Sequence, residues 1–214
     1  MNKNTKTYYS QIRSDVFNMI CDGQNKILEI GCGQGKTLQL LKKIKKASFT
    51  VGIDKHYPSI KYAQNIIDKA ICCDVEKENI KLEKNSFDYI LCLDIIEHLH
   101  DPQIFLTNLK SLLKLSGILI VSIPNIRNIQ ILKNLIVKDS WKYEDKGILD
   151  RTHIRFFTKT SFVQLTDNCG YEMIKYKFNS PELNRPTRLL DLISGHRLAP
   201  FYIVQHLFKF KLKS

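Results

Sequence analysis

Short, continuous apolar runs alternate with stretches of helical spacing along most of the chain. Apolar groups at Tyr8, Ile12, Val16, Met19 and Ile20 predict a helix over 8–21. Lys26 to Ile30 then reads as a buried strand that runs into Gly31-Cys32-Gly33-Gln34-Gly35. A helix follows with Leu38, Leu41 and Ile44 on one face. The next strand, Phe49 to Ile53, stops at Asp54, and a helical pattern carries Ile60, Ala63, Ile66 and Ile67. Strands are predicted at Ala70 to Cys73, Phe87 to Leu93 and Gly117 to Ile123, with a helix from Pro102 to Leu113.

Strands that are apolar throughout are buried on both faces, which implies a parallel sheet covered by helices. Ligands of such sheets bind beyond the carboxyl ends of the strands. Glu29, Asp54, Asp74 and Asp94 stand at or near those ends, so one edge carries four carboxylates. Residues 125–157 break the rhythm and read as an insertion at the ligand edge, where substrate contacts and lids belong. A helix is predicted at Thr160 to Asn168, capped by Gly170, and a strand at Tyr171 to Phe178. Leu207 to Lys213 alternates apolar and cationic residues, which fits a terminal strand. The expected fold is α/β: a doubly wound, mostly parallel seven-stranded sheet with helices on both faces and an antiparallel terminal strand.

The chain has 214 residues, of which 43% are hydrophobic, suiting one domain over 1–214. No apolar run approaches the ~18 residues of a membrane span. Met1 to Lys6 is polar and lacks an apolar signal core, so the expected setting is cytoplasmic. The six cysteines contain no C-x-x-C pair and read as reduced thiols. Thirty-three Lys and Arg against 21 Asp and Glu give a net charge of +12. The lysines are scattered rather than gathered on one element, which favours an anionic small substrate over a dedicated nucleic-acid face.

Three glycine patterns compete at the first strand-to-helix turn. Gly35-Lys36-Thr37 suggests a P-loop, but position 30, where its first glycine belongs, is Ile30. The dinucleotide fingerprint fits at Gly31 and Gly33 and fails at Lys36. What remains is an acidic residue followed by G-x-G-x-G, so the ligand need not carry a pyrophosphate. Asp54 can accept from both hydroxyls of a ribose, Asp74 from an adenine amino group, and Glu29 can meet a cationic amino acid moiety. Such a ligand has adenosine at one end and an amino acid at the other.

With these residues the chain resembles the class I S-adenosylmethionine-dependent methyltransferases. The resemblance rests on Leu28 to Gly35, Gly52-Ile53-Asp54, Cys73-Asp74-Val75, Phe87 to Ile90 and Gly117 to Ile120, in order, over residues 25–123. Tyr8-Tyr9, Ile123-Pro124-Asn125, Trp141-x-Tyr143 and Gly147 to Thr158 resemble one branch, often linked to sugar or cell-envelope biosynthesis. The resemblance implies S-adenosylmethionine as cofactor and S-adenosylhomocysteine as product. It implies that Glu29, Gly31, Gly33 and Gly35 line the methionine portion and that Asp54 binds the ribose. Asp74 and the Val75 backbone would hold the adenine, with Leu93 and Asp94 near the sulfonium.

Methyl transfer from a sulfonium is an in-line displacement, and a hydroxyl acceptor must also lose a proton. Glu97, His98 and His153 are the candidate catalytic groups. A helical Asp94-Ile95-Ile96-Glu97-His98 would place Asp94, Glu97 and His98 on one face. Three readings stand: a His98 or His153 base, a divalent metal at Asp94, Glu97, His98 and His153, or a Glu97-His98 pair that orders the loop. The set resembles one found in small-RNA 2′-O-methyltransferases and ubiquinone-pathway O-methyltransferases, where the first position is usually Glu. Trp141, Tyr143, Arg151 and Arg155 are candidate acceptor contacts, aromatic faces suiting sugars and Arg suiting anions. Tyr8, Tyr9 and Arg13 are expected in an N-terminal lid helix over 1–24 that closes over the cofactor, and Tyr8 and Tyr9 are also candidate substrate contacts. His56, His196 and His206 are assigned no role. O-methylation of a small or carbohydrate-type acceptor is the expected reaction; RNA 2′-O-methylation and a non-catalytic cofactor-binding module are the alternatives.

Overall fold

The apolar runs become one seven-stranded sheet in the computed structural model, which describes residues 9–78, 80–181, 192 and 197–213. The strands are β1 (Lys26–Ile30), β2 (Phe49–Asp54), β3 (Lys69–Cys72), β4 (Phe87–Leu93), β5 (Leu113–Pro124), β6 (Tyr171–Asn179) and β7 (Gln205–Leu212). Their order is β3-β2-β1-β4-β5-β7-β6. The first five run parallel, and β7 is antiparallel to both β5 and β6.

The helices are α1 (Lys36–Lys43), α2 (Tyr57–Ala63), α3 (Pro102–Leu109), α4 (Ile129–Lys138), α5 (Lys159–Asn168) and α6 (Ala199–Tyr202). Two apolar layers sandwich the sheet. One gathers Val16 and Met19 with Leu38 and Leu41 of α1 and Ile60 and Ala63 of α2. The other gathers Phe105, Leu106 and Leu109 of α3 with Phe162 of α5 and Phe208 and Phe210 of β7. The doubly wound sheet expected from the sequence is the one the chain forms.

Three elements differ from their sequence patterns. Among the described residues the N-terminal helix is a 3-10 helix over Ser14–Met19, because the buried pair Val16 and Met19 is three residues apart and Ile12 is exposed. Tyr8 lies outside the described residues, as does most of the predicted 181–186 loop. The helix from Pro102 ends at Leu109, a 3-10 turn takes Lys110–Leu112, and β5 starts at Leu113, opposite Phe87. Within the insertion, Asn128 caps α4 by accepting from the Gln130 amide, a helix the sequence reading passed over. All six cysteines are free, Cys21 and Cys72 exposed and the rest buried. Among the described residues no helix is long and apolar enough to cross a membrane.

Candidate active site

The turn after β1 is built from left-handed backbone: φ is 74° at Gly31, 52° at Gly33 and 74° at Gly35. The amides of Gly31 and Cys32 both donate to the Ile53 carbonyl, at 2.8 and 3.0 Å, so the turn leans on β2. Asp54 fixes its far side. One carboxylate oxygen accepts from the Gly33 amide and the other from the His56 amide, each at 2.8 Å. A single side chain at the tip of β2 thus sets both the glycine turn and the entry to α2.

Tyr9 reaches this turn from the N-terminal segment. Its carbonyl accepts from the Gln34 amide at 2.8 Å, and its ring stacks on His56 with centroids 4.0 Å apart. Burial and the nearby Asp54 charge raise its phenol pKa. Tyr9, expected in an N-terminal lid, thus stands beside the glycine turn and Asp54. His56, given no role from sequence, is its platform.

Glu29, in β1, is 3% exposed, and its Oε2 has no hydrogen-bond partner. Burial pushes its carboxyl up to about 8, with Arg13 opposing and Asp54 adding to the rise. Arg13 spans the neighbouring strand tips. It bonds Asp94, Ser122 and Gln205 and forms a forked pair with Asp15. Asp94 also accepts from Ser122 Oγ at 2.9 Å and Gln205 Nε2 at 2.6 Å. Leu93, the last residue of β4, is buried beside it. The Asp74 carboxylate caps its own turn, accepting from the Glu76 amide at 3.2 Å with Lys77 Nζ at 3.5 Å. Val75, half-buried, packs against the core. Glu76 ties this turn to the next loop by accepting from the His100 amide at 2.6 Å.

Glu97, His98 and His153 come together, and Asp94 does not join them. The expected common face required a helix. Asp94 instead has φ 54°, and only Ile96–His98 coil, as a 3-10 turn. Glu97 is 1% exposed, and neither carboxylate oxygen has a hydrogen-bond partner. Its carbonyl accepts from the amides of Ile154 and Arg155 at 2.9 and 3.0 Å, which draws the insertion onto the strand tips. His98 Nδ1 lies 3.1 Å from the Thr152 carbonyl and His153 Nδ1 2.9 Å from the Ile148 carbonyl. A carbonyl only accepts, so each Nδ1 carries a proton, and in the neutral form of either ring the Nε2 holds the lone pair. The His153 Nε2 is 3.9 Å from Glu97 Oε1, and the two imidazoles meet edge to face at 4.7 Å.

A ligand atom from each of the three residues falls within 4.8 Å of the others. Burial raises the Glu97 pKa well above the usual carboxylate range, with the charge of Asp94 adding to it. Burial, then the proximity of His153, lowers that of His98. Two buried oxygens without donors beside two imidazole lone pairs suit a cation or a hydroxyl proton.

Trp141 and Tyr143 gather around Phe156, with centroids 5.3 and 6.4 Å away, and both remain partly exposed. Arg151 pairs with Asp145 on the surface, while the Arg155 Nη2 donates to the His100 carbonyl. Each guanidinium thus has a partner within the protein. Sequence reasoning missed Ser122 and Gln205, the partners of Asp94. The one signal was Ser122 itself, a hydroxyl inside the apolar run of β5.

The doubly wound sheet and its acidic strand-tip edge define an α/β domain of the class that binds its ligand beyond the strand ends. A family model described as a methyltransferase domain matches residues 1–176, and the chain belongs to that family. Among curated proteins, it is 28% identical over 117 residues to a ubiquinone biosynthesis O-methyltransferase of Bradyrhizobium diazoefficiens, covering 52% of this chain and 44% of the relative. It is 28% identical over 133 residues to a protein of the same name from Neisseria meningitidis, covering 58% and 55%. The chain thus spans about half the length of the curated relatives it matches. A SAM-dependent methyltransferase from Archaeoglobus fulgidus superposes with a TM-score of 0.69 at 18% identity, covering 92% of this chain and 90% of its own.

Proposed function

We propose that the enzyme methylates a hydroxyl of a small or carbohydrate-type acceptor, with His98 and His153 facing the reacting oxygen. The observation that carries this reading is the pair of imidazoles, each anchored by an Nδ1–carbonyl bond that leaves Nε2 as the free ring nitrogen, beside the buried Glu97. S-adenosylmethionine supplies an electrophilic methyl carbon. Held at the strand tips, it would pass that methyl to the acceptor oxygen and keep the electron pair of the broken carbon–sulfur bond as a thioether, while the Nε2 of His98 or His153 would take the hydroxyl proton.

On the cofactor side, Asp54 uses about two of its roughly four lone-pair positions on backbone amides, leaving the others for ribose hydroxyls. Asp74 and the Val75 backbone are assigned to the adenine, Leu93 and Asp94 to the sulfonium side. Glu29 and the glycine turn take the methionine portion. The unpartnered Glu29 oxygen suits an ammonium group. Trp141 and Tyr143 offer stacking surface to the acceptor. A cytoplasmic setting agrees with six free cysteines. The small acceptor is favoured over RNA because many lysines are spent on ion pairs around the molecule, among them Lys42–Asp68, Lys46–Asp22, Lys114–Asp88 and Lys213–Asp167.

A second reading has its own observation. The Glu97 oxygens lack any donor, and a divalent cation held with His98 and His153 would supply the missing partner and lower the acceptor hydroxyl's pKa. One experiment separates the readings: cell extract is incubated with isotopically labelled cofactor and purified enzyme, and the metabolite that gains the label is found by mass spectrometry. His153→Ala should lower label transfer about 10²–10⁴-fold. Calorimetric affinity for S-adenosylhomocysteine should change little, since His153 is placed on the acceptor side. Transfer lost in EDTA and restored by a divalent cation selects the metal; full transfer in EDTA selects the imidazole base. Undiminished transfer by His153→Ala would end both.

A further inference from the structure

Helix α4 is unusual among the longer helices in that none of its residues is buried. Ile136 is 77% and Val137 72% exposed, with Ile129 and Leu135 also exposed. Ile129, Leu132, Lys133, Ile136 and Val137 follow the i, i+3, i+4, i+7, i+8 spacing of one helical face. Ile129, Lys133, Ile136 and Val137 of that face are exposed, and Leu132 is half-buried. Leaving this face in water sacrifices hydrophobic stabilisation, so it marks an interaction surface rather than a core element.

Charge decides what it fits. Between residues 127 and 142 there are four cations, Arg127, Lys133, Lys138 and Lys142, against one carboxylate, Asp139. Trp141 stands three residues past the helix, partly exposed. An apolar face flanked by lysines with an aromatic residue at its end is the pattern of a helix lying in the headgroup boundary of a bilayer, where lysine stems reach out to acidic headgroups. A second copy of this chain packed on the same face would bring Lys133 close to its counterpart and set two positive proteins together.

We infer that α4 docks the enzyme on an anionic lipid surface. It leaves β5 at the ligand edge and leads, through Trp141 and Tyr143, to the segment that delivers His153 to Glu97. Docking would therefore set the acceptor side of the site beside the bilayer, where a lipid-borne hydroxyl could enter it.

The test needs no acceptor. The full chain is pelleted with vesicles of pure phosphatidylcholine, or of phosphatidylcholine with about 30% phosphatidylglycerol. The emission of Trp141, the single tryptophan, is followed in parallel. We expect binding to the acidic vesicles with a blue shift of Trp141, and about tenfold or greater loss of affinity in Ile136→Asp/Val137→Asp. Both positions are exposed, so the thermal midpoint and the affinity for S-adenosylhomocysteine should hold. Three results would each overturn the inference: no affinity for acidic vesicles; binding unaltered by the double variant, which assigns it to net charge alone; or a native dimer that the double variant splits, which assigns the face to self-association.

Discussion

Glu29 shows how one buried side chain couples the site to pH. Its carboxyl is raised from 4.5 to about 8, chiefly by burial. The unfolded chain releases this proton near 4.5, while the folded chain keeps it until about 8. Across that window the native state binds more protons, so the group's stabilising contribution, complete at low pH, is lost as pH rises. The apo midpoint should therefore fall between pH 4.5 and about 8 and level off above. Glu29→Gln should flatten part of that slope and release fewer protons on binding S-adenosylhomocysteine at pH 7, measured by scanning calorimetry and by titration in buffers of different ionisation enthalpy. Equal slopes and equal proton release in the two proteins would remove Glu29 from this role. The acids at the strand tips were legible in the sequence because each ends an apolar run. Ser122, Gln205 and His56 were not: their partners Asp94 and Tyr9 lie 28, 111 and 47 positions away, and only the assembled sheet brings them together.

Apart from β5, which starts four residues before the predicted Gly117, the strands were read to within one or two residues, because a continuous apolar run has one home in a covered parallel sheet. Short coiled elements were read less well. A two-turn 3-10 segment and a helix carry similar apolar spacing over six residues, and α4 hid within an insertion, with none of its residues buried. The contact between the glycine turn and the N-terminal segment also escaped the sequence, although Gly33 now explains itself twice. Its φ is 52°, and a Cβ there would sit 2.5 Å from the Tyr9 carbonyl oxygen. Ala at left-handed φ costs about 1–2 kcal/mol, and the clash adds displacement of Tyr9. Gly33→Ala should thus lower the thermal midpoint by about 2–8 °C, at 2–4 °C per kcal/mol for a chain of this size. It should also weaken S-adenosylhomocysteine binding, because Gln34 and Asp54 lose their shared turn. An unchanged midpoint together with unchanged affinity would show that Tyr9 does not rest on this turn.

At the scale of the whole molecule, the last strand is an interior strand. β7 lies between β5 and β6, and Leu207, Phe208 and Phe210 are buried on it. The family match ends at residue 176, inside β6, so the segment that joins β6 to the rest of the sheet lies beyond it. Gln205 in the same strand also holds Asp94 and Arg13 at the ligand edge. Each fully buried large side chain is worth about 1.5–3 kcal/mol, and a typical domain's net stability is about 5–15 kcal/mol. Loss of three such side chains, of the ladders to both neighbours and of β6 with them therefore exceeds what most domains can spare. A chain ending at Tyr202 should show no cooperative thermal transition by circular dichroism and no calorimetric affinity for S-adenosylhomocysteine. Phe208→Ala in the full chain provides a graded version: it should cost about 3–5 kcal/mol, read from urea unfolding, while leaving cofactor affinity measurable. If the truncated chain still melts cooperatively and binds, the five parallel strands form an autonomous cofactor-binding unit, and β7 contributes to the acceptor edge rather than to the fold.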